Sequence, residues 1–428
     1  MKQGWEIKRL GEVCELKSGI TISSSLERTE GDVLYVKVGD MTLPENDVEI
    51  ETSSRFVNRN EIRDNLIIPN GAVIFPKRGG AIATNKKRKI IKSTIVDLNI
   101  MAIIPKEKIN NDYYWFQLID LNSISNGTTI PQINNYSFDE VFISYPKSLP
   151  EQHRIVSILD QCFSAIDKAK ANAEQNLKNT KELFESYLQG VFENGKEDWE
   201  VKKMKEVFEI KPQKKEAKEK LAEVDLVTFL PMEDLGIMEK EVQPVQTRTL
   251  KEVIGSYTYF AENDVLLAKI TPCFENGKIG IAKKLINGIG FGSSEYIVFR
   301  SNGYIEADFL FYFLSRESFR KEGRKNMSGA VGHKRVSKEW IENYLISFPK
   351  SKAVQQSIVR QLDALRTETQ KLEAMYQKKI ANLEELRKSI LGKAFAGELT
   401  EKSRRDDKII EKIKNELKPT NPEGVTLL

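Results

Sequence analysis

The sequence predicts an α+β protein built from two copies of one domain-sized unit, each copy followed by a single long helix. Three observations lead there. The opening Trp5-Glu6-Ile7-Lys8-Arg9-Leu10-Gly11-Glu12-Val13 returns 194 residues later as Trp199-Glu200-Val201-Lys202-Lys203-Met204-Lys205-Glu206-Val207. A four-three spacing that starts at Ile155 returns 203 residues later, starting at Ile358. Between each opening and its helix runs the same order of short apolar strands, one aromatic helix, a glycine loop and a last strand. Self-similarity on this scale indicates two repeated units rather than one continuous core.

Taken in order, Val73-Ile74-Phe75-Pro76-Lys77 follows the turn Asn70-Gly71, and Val265-Leu266-Leu267-Ala268-Lys269 follows Asn263-Asp264. Each reads as a buried strand that ends on a lysine. Strands ending at Ile103-Ile104-Pro105 and Val298-Phe299-Arg300 come next, then aromatic helices over Asp112 to Ile119 and Asp308 to Leu314. Glycine loops at Gly127 and Gly329 precede the last strands, Val141 to Tyr145 and Tyr344 to Phe348. The offset drifts from 194 to 192 to 203, which places insertions in the loops of a shared fold.

The first long helix starts at Ser148, which with Glu151 has the spacing of a capping box, while Pro150 occupies the first turn, where a missing N–H costs nothing. Its seam is Ile155, Leu159, Cys162, Ile166, Ala169, Ala173, Asn176, Thr180, Leu183 and Tyr187. The second helix, capped by Ser351 but with Val354 in place of the glutamate, repeats it as Ile358, Leu362, Leu365, Thr369, Leu372, Tyr376, Lys379, Leu383, Leu386 and Ile390. Such a-and-d periodicity is that of a coiled coil. At ~1.5 Å per residue a helix of about 40 residues spans ~60 Å, which suits a spacer better than a compact core. The expected helix-pair interface is Ile155, Leu159, Ile166, Leu183, Ile358, Leu362, Leu365, Leu372, Leu383 and Ile390. The expected boundaries are 1–147 and 196–350 for the domains, 148–195 and 351–398 for the helices, and 399–428 for a charged tail.

Composition narrows the function classes. Of 428 residues, 40% are hydrophobic and 30% charged, as in a globular protein with exposed helices. No run of about 18 apolar residues and no basic–apolar leader occurs, so neither a membrane span nor export is expected. Cys14, Cys162 and Cys273 lie far apart and the chain has two histidines. Neither a disulfide framework nor a zinc site is expected, and a reducing cytoplasm is the expected setting.

No phosphate-cradling G-x-x-x-x-G-K-[ST] loop, dinucleotide fingerprint, H-E-x-x-H or nucleophile elbow is present, so no catalytic and no metal-ligating residues are assigned. Basic clusters carry more information than the net charge of +4. Lys77, Arg78, Lys86, Lys87, Arg88 and Lys89 stand together without an acid and with Gly79 and Gly80 among them, a loop able to approach phosphates. In the second copy the basic stretch runs from Arg316 to Lys338, which for Arg316 to Lys325 reads equally as a solvated helix face. The equivalent glycine loops offer small donors and base-reading side chains: Thr128, Thr129 and Gln132 in the first, Ser328, His333, Lys334 and Arg335 in the second. Gln132 suits adenine and Arg335 suits guanine. With Lys269, Arg324 and Lys325 these complete the expected DNA-binding set.

The duplicated layout, with Trp5-Glu6 through Gly11-Glu12-Val13, the junction Ile143-Ser144-Tyr145-Pro146 through Leu149-Pro150-Glu151-Gln152, and the helix end Leu391-Gly392-Lys393-Ala394-Phe395-Ala396-Gly397-Glu398-Leu399, resembles the specificity (S) subunit of type I restriction–modification systems over essentially residues 1–400. The pattern departs at Lys352-Ala353-Val354-Gln355-Gln356 and at Phe192-Glu193-Asn194-Gly195. The resemblance implies two target-recognition domains on two helices packed as an antiparallel coiled coil, each domain reading half of a split site in double-stranded DNA. It also implies two methyltransferase subunits and ATP-driven restriction subunits as partners. S-adenosylmethionine, ATP and Mg would be held by those partners and not by this chain. Two other readings remain at this level: a coiled-coil scaffold that binds protein without sequence-specific DNA binding, and an enzyme that cuts DNA alone.

Overall fold

The computed structural model describes residues 4–106, 109–110, 120–127, 130–193, 198–243, 246–330 and 332–400. The first aromatic helix, Thr128, Thr129 and residues 401–428 of the tail therefore lie outside the described residues. The chain divides into two compact units, Met1–Asn172 with Lys379–Leu428, and Ala173–Lys378. The division runs through both long helices rather than at their ends.

In each unit the first strand pairs antiparallel with the last. Trp5–Arg9 lies against Phe142–Pro146 with Trp5 opposite Pro146, and Trp199–Lys203 lies against Leu345–Pro349 with Trp199 opposite Pro349. The repeated openings thus close each domain by pairing with the strand that delivers the chain into its long helix. The central strands are the apolar runs Val73–Pro76 and Val265–Ala268, buried at every position. A short strand buried on both faces needs no polar alternation. The first sits in a five-stranded sheet ordered Cys14–Ser18, Ile100–Pro105, Val73–Pro76, Arg88–Ile90, Glu49–Ile50. The second sits in a four-stranded sheet ordered Phe208–Ile210, Tyr296–Ser301, Val265–Ala268, Ile279–Ile281. Beside the first lies a three-stranded sheet centred on Val33–Val36, and beside the second a four-stranded sheet containing Leu226–Leu230. The aromatic helix of the second domain, Ala307–Ser315, forms one residue longer at each end than the aromatic pattern suggests.

The long helices run over Leu149–Glu193 and Lys352–Phe395. Each is pinned at its first turn by a glutamine with no solvent exposure, Gln152 or Gln355. Gln152 Nε2 donates to the Pro146 carbonyl at 2.8 Å, and its Oε1 accepts the Asn110 N–H at 2.6 Å. Gln355 Nε2 donates to the Pro349 and Tyr304 carbonyls at 2.9 Å each, and its Oε1 accepts the Glu306 N–H at 3.0 Å. The second junction, where the sequence departs from the first, therefore keeps the residue that ties strand, domain and helix together.

Within the first unit the two helices run antiparallel: Asp167 meets Arg387 at 2.7 Å and Lys170 meets Glu384 at 2.8 Å, so one number rises as the other falls. Ile155, Leu159, Ile166, Leu383 and Ile390 share that unit's core with the domain. In the second unit Leu188, Phe192, Val359 and Leu362 share the core of the other domain. Leu183 and Tyr187 correct the expected seam, being 44% and 41% exposed. The buried face keeps Thr180 and from there passes instead through Phe184, Leu188 and Phe192. A straight helix drifts by ~20° per heptad from a 3.5-residue repeat, so a strict four-three count leaves the buried face within a few heptads.

In the second unit Arg300 reaches Asp264 at 2.7 Å and Glu216 at 2.6 Å, and the Tyr259 hydroxyl donates to Glu216 at 2.7 Å. Hydrogen bonds from Lys220 and Tyr259, with Arg300 beside them, hold the Glu216 carboxyl down to about 2. A carboxylate whose folded-state pKa lies below its unfolded value stabilises the fold above the unfolded value and loses that contribution as pH falls. Glu216→Gln is expected to lower stability at pH 7 and to show a shallower acid loss than the parent chain below pH 4.5. Denaturant unfolding at several pH values checks this; two curves that stay parallel would contradict it.

Candidate nucleic-acid interface

Each domain fixes the end of its central strand by the same three backbone bonds, one to the turn before the neighbouring strand and two to the glycine hairpin. In the first, Lys77 N–H donates to Asn99 O at 2.8 Å, Ile133 N–H to Lys77 O at 2.9 Å, and Gly79 N–H to Pro131 O at 2.9 Å. In the second, Lys269 N–H donates to Glu295 O, Val336 N–H to Lys269 O, and Thr271 N–H to Lys334 O, each at 2.9 Å. These bonds set Lys77 against Lys269, Asn99 against Glu295, and Gln132 against Arg335. Gln132 lies opposite Arg78, and Arg335 opposite Ile270. The hairpins close at Asn126 with Gln132, and at Ser328 with Arg335. Gly127 and Gly329, at φ +104° and +124°, occupy backbone that a side chain would strain.

One lysine is therefore common to both patches, and its neighbours differ. The first patch carries Lys77, Arg78, Asn99 and Gln132; the second carries Lys269, Ile270, Glu295 and Arg335. Burial, then Arg78, pulls the Lys77 ammonium below its ordinary range. Burial also lowers Lys269, against the pull of Glu295 and with Lys211 and Arg335 adding to the decrease. Lys269 Nζ donates to Ser294 O at 2.9 Å. Arg335 holds Glu295 through two 2.9 Å hydrogen bonds, which keep that carboxyl below the usual carboxylate range.

The other expected residues divide. Arg324 and Lys325 are exposed at the end of helix Glu317–Lys325, and Ser328, His333 and Lys334 are exposed on the hairpin. Lys86 is half-buried. Arg88 is a correction: it is 7% exposed in the strand Arg88–Ile90, paired with Val73–Ile74. The basic run read as a loop is in part a strand, whose alternation turns Arg88 inward with Ile90. Lys87 is likewise tucked in, its Nζ donating to the Asn85 carbonyl and side-chain oxygens at 3.1 and 3.0 Å, and burial lowers its pKa to about 8. Lys89 is half-buried and 3.6 Å from Glu49. Arg316 is also 7% exposed, packed over the rings of Phe313 and Phe192 at 3.8 and 5.1 Å.

Sequence reasoning missed Asn99 and Glu295, which reach the patch only through sheet pairing. It also missed Lys17, opposite Ala102 on the edge strand Cys14–Ser18, and Lys211, which follows the equivalent strand Phe208–Ile210 and donates its N–H to Val298 O. Their separation is the same 194 residues that relates the two openings, a signal available in the sequence. Lys17 Nζ is tied to the Asn65 and Ile67 carbonyls, whereas Lys211 is exposed with φ +65°.

Residues 2–178 and 196–383 both match the model of the type I restriction modification DNA specificity domain. The chain belongs to that family. Among its relatives, the EcoAI specificity subunit of Escherichia coli is 36% identical over 135 residues, which cover 31% of this chain and 23% of that one. The chain thus spans about a quarter of that relative's length. The MjaVIII specificity subunit of Methanocaldococcus jannaschii is 27% identical over 350 residues, covering 76% and 78% of the two chains. Two solved structures share the fold of this specificity-family chain. A chain solved in work on complex assembly and conformational transition of the type I R-M system gives a TM-score of 0.70 at 17% identity, covering 92% of this chain and 98% of that one. The HsdS subunit of Thermoanaerobacter tengcongensis gives 0.54 at 19% identity, covering 93% and 98%. Among the described residues no helix is long and apolar enough to cross a membrane, and no group of three or more His, Cys, Asp or Glu could hold a metal ion.

Proposed function

We propose that this chain is the non-catalytic DNA-recognition subunit of a type I restriction–modification complex, each domain reading one half of a bipartite, asymmetric site. The observation that carries the reading is the recurrence of one backbone patch in both units with a shared lysine and different neighbours. A common scaffold with divergent side chains suits two readers of two sequences, since phosphate contacts position a protein and base contacts specify. Family membership and the match of each half to a DNA specificity domain support it. The long helices set the gap between half-sites and dock two methyltransferase subunits, which hold S-adenosylmethionine; restriction subunits supply the ATP-driven step.

Lys77 and Arg78 are assigned to phosphate contact in the first domain. Lys77→Ala with Arg78→Ala is expected to weaken binding to all duplexes alike and to reduce the slope of log affinity against log salt by about 0.9 for each phosphate no longer neutralised. Titration of a labelled duplex at several salt concentrations checks it. An unchanged slope would remove this loop from the interface, and a purified chain that bound no duplex under any condition would overturn the reading.

A further inference from the structure

The second patch contains a pair whose geometry goes further than electrostatic attraction to DNA. An exposed arginine–carboxylate pair is ordinarily worth little. Here both partners are fixed by backbone before their side chains meet. Glu295 O accepts the Lys269 N–H at 2.9 Å, and Arg335 is held between Ile270 on one side and Ser328 on the other. Arg335 then donates from Nε to Glu295 Oε2 and from Nη2 to Oε1, each at 2.9 Å, and from Nη1 to the His333 carbonyl at 2.9 Å.

A guanidinium has five N–H donors. Those three bonds leave one N–H on each terminal nitrogen, and the Arg335 side chain remains 45% exposed. Two N–H groups on neighbouring nitrogens are what guanine accepts at O6 and N7. We propose that Glu295 is a positioning residue that presets Arg335 to read guanine in the half-site of the second domain. The inference rests on the DNA-recognition reading above. A side chain already locked by its neighbours loses less conformational freedom on binding, and its misplacement elsewhere is suppressed. Glu295 also cancels the charge of Arg335, so the pair contributes base preference while Lys269 beside it provides the phosphate attraction.

This division gives a signature that a merely structural role would not. Full-length chain would be incubated with a randomised duplex pool and the bound duplexes sequenced, for the parent, Glu295→Ala, Glu295→Gln and Arg335→Lys. The parent is expected to enrich guanine at one position. Glu295→Ala should lose about tenfold of that preference, the order of one bidentate base contact, while its binding to unselected duplex stays the same or rises, because a negative charge has left the surface. Glu295→Gln, which keeps an oxygen for Arg335, should lie between, and Arg335→Lys should lose the preference outright. A parent chain that selects a sequence, with Glu295→Ala selecting it equally, would overturn the positioning role and leave the DNA reading intact. A uniform loss of specific and unselected binding in Glu295→Ala would show a structural role and overturn it too. A parent chain with no sequence selection would overturn the DNA reading itself.

Discussion

A chain carrying Gln355→Ala is expected to lose about 2–5 kcal/mol from the stability of the second unit, the sum of buried groups left without partners and of the space left behind. The glutamine is fully buried and joins three segments: the last strand at Pro349, the approach to the aromatic helix at Tyr304 and Glu306, and the first turn of the long helix. Alanine leaves two carbonyls and one N–H in that junction without their partner. Gln152→Ala should act in the same sense on the first unit, where Asn110 and Pro146 are the partners. Gln356→Ala is the control, since Gln356 is exposed on the same turn, and it should stay within about 0.5 kcal/mol of the parent. Native-state hydrogen exchange of the Glu306 amide and of the strand Leu345–Pro349 would report the change locally. Equal protection in Gln355→Ala and Gln356→Ala would contradict the assigned role.

What is legible in the sequence is whatever depends on local periodicity and local punctuation. The repeated openings at Trp5 and Trp199 mark the start of each domain, and the buried runs Val73–Pro76 and Val265–Ala268 follow turn residues. The long helices begin where Ser148 and Ser351 stand. The glycine loops point to Gln132 and Arg335 as candidate base readers, and the structure places both on the hairpin arm beside the central strand.

What is not legible has physical causes. A run of cations such as Lys86 to Lys89 reads as a solvated loop, yet sheet pairing turns Arg88 inward. Arg316 is hidden for a similar reason, its guanidinium lying between Phe313, three residues earlier, and Phe192, which the linear pattern does not bring near it. Asn99 and Glu295 sit in the turns that lead into Ile100–Pro105 and Tyr296–Ser301, and tertiary pairing of those strands brings them to the patch, so no local window reveals them. Leu183 falls off the seam because a 3.5-residue count is extended along a straight helix.

Exchanging residues 1–147 for those of a relative with another target is expected to have the largest effect on function. On the proposed reading each domain's patch, built from that domain's own strands and hairpin, would carry its base contacts, so the exchange should replace one half-site entirely. Each mismatched base pair in a site costs ~1–3 kcal/mol, so a half-site of several pairs amounts to an essentially complete change of target. The second half-site should persist because Lys269, Glu295 and Arg335 are untouched. The gap should persist because the long helices are untouched.

The most direct measurement is the sequence selected by the exchanged full-length chain, read from bound duplexes or from methylated bases in a host that carries the whole system. The account predicts one new half-site, one retained half-site and the same spacing between them. Simultaneous change of both half-sites, or of the spacing alone, would contradict it.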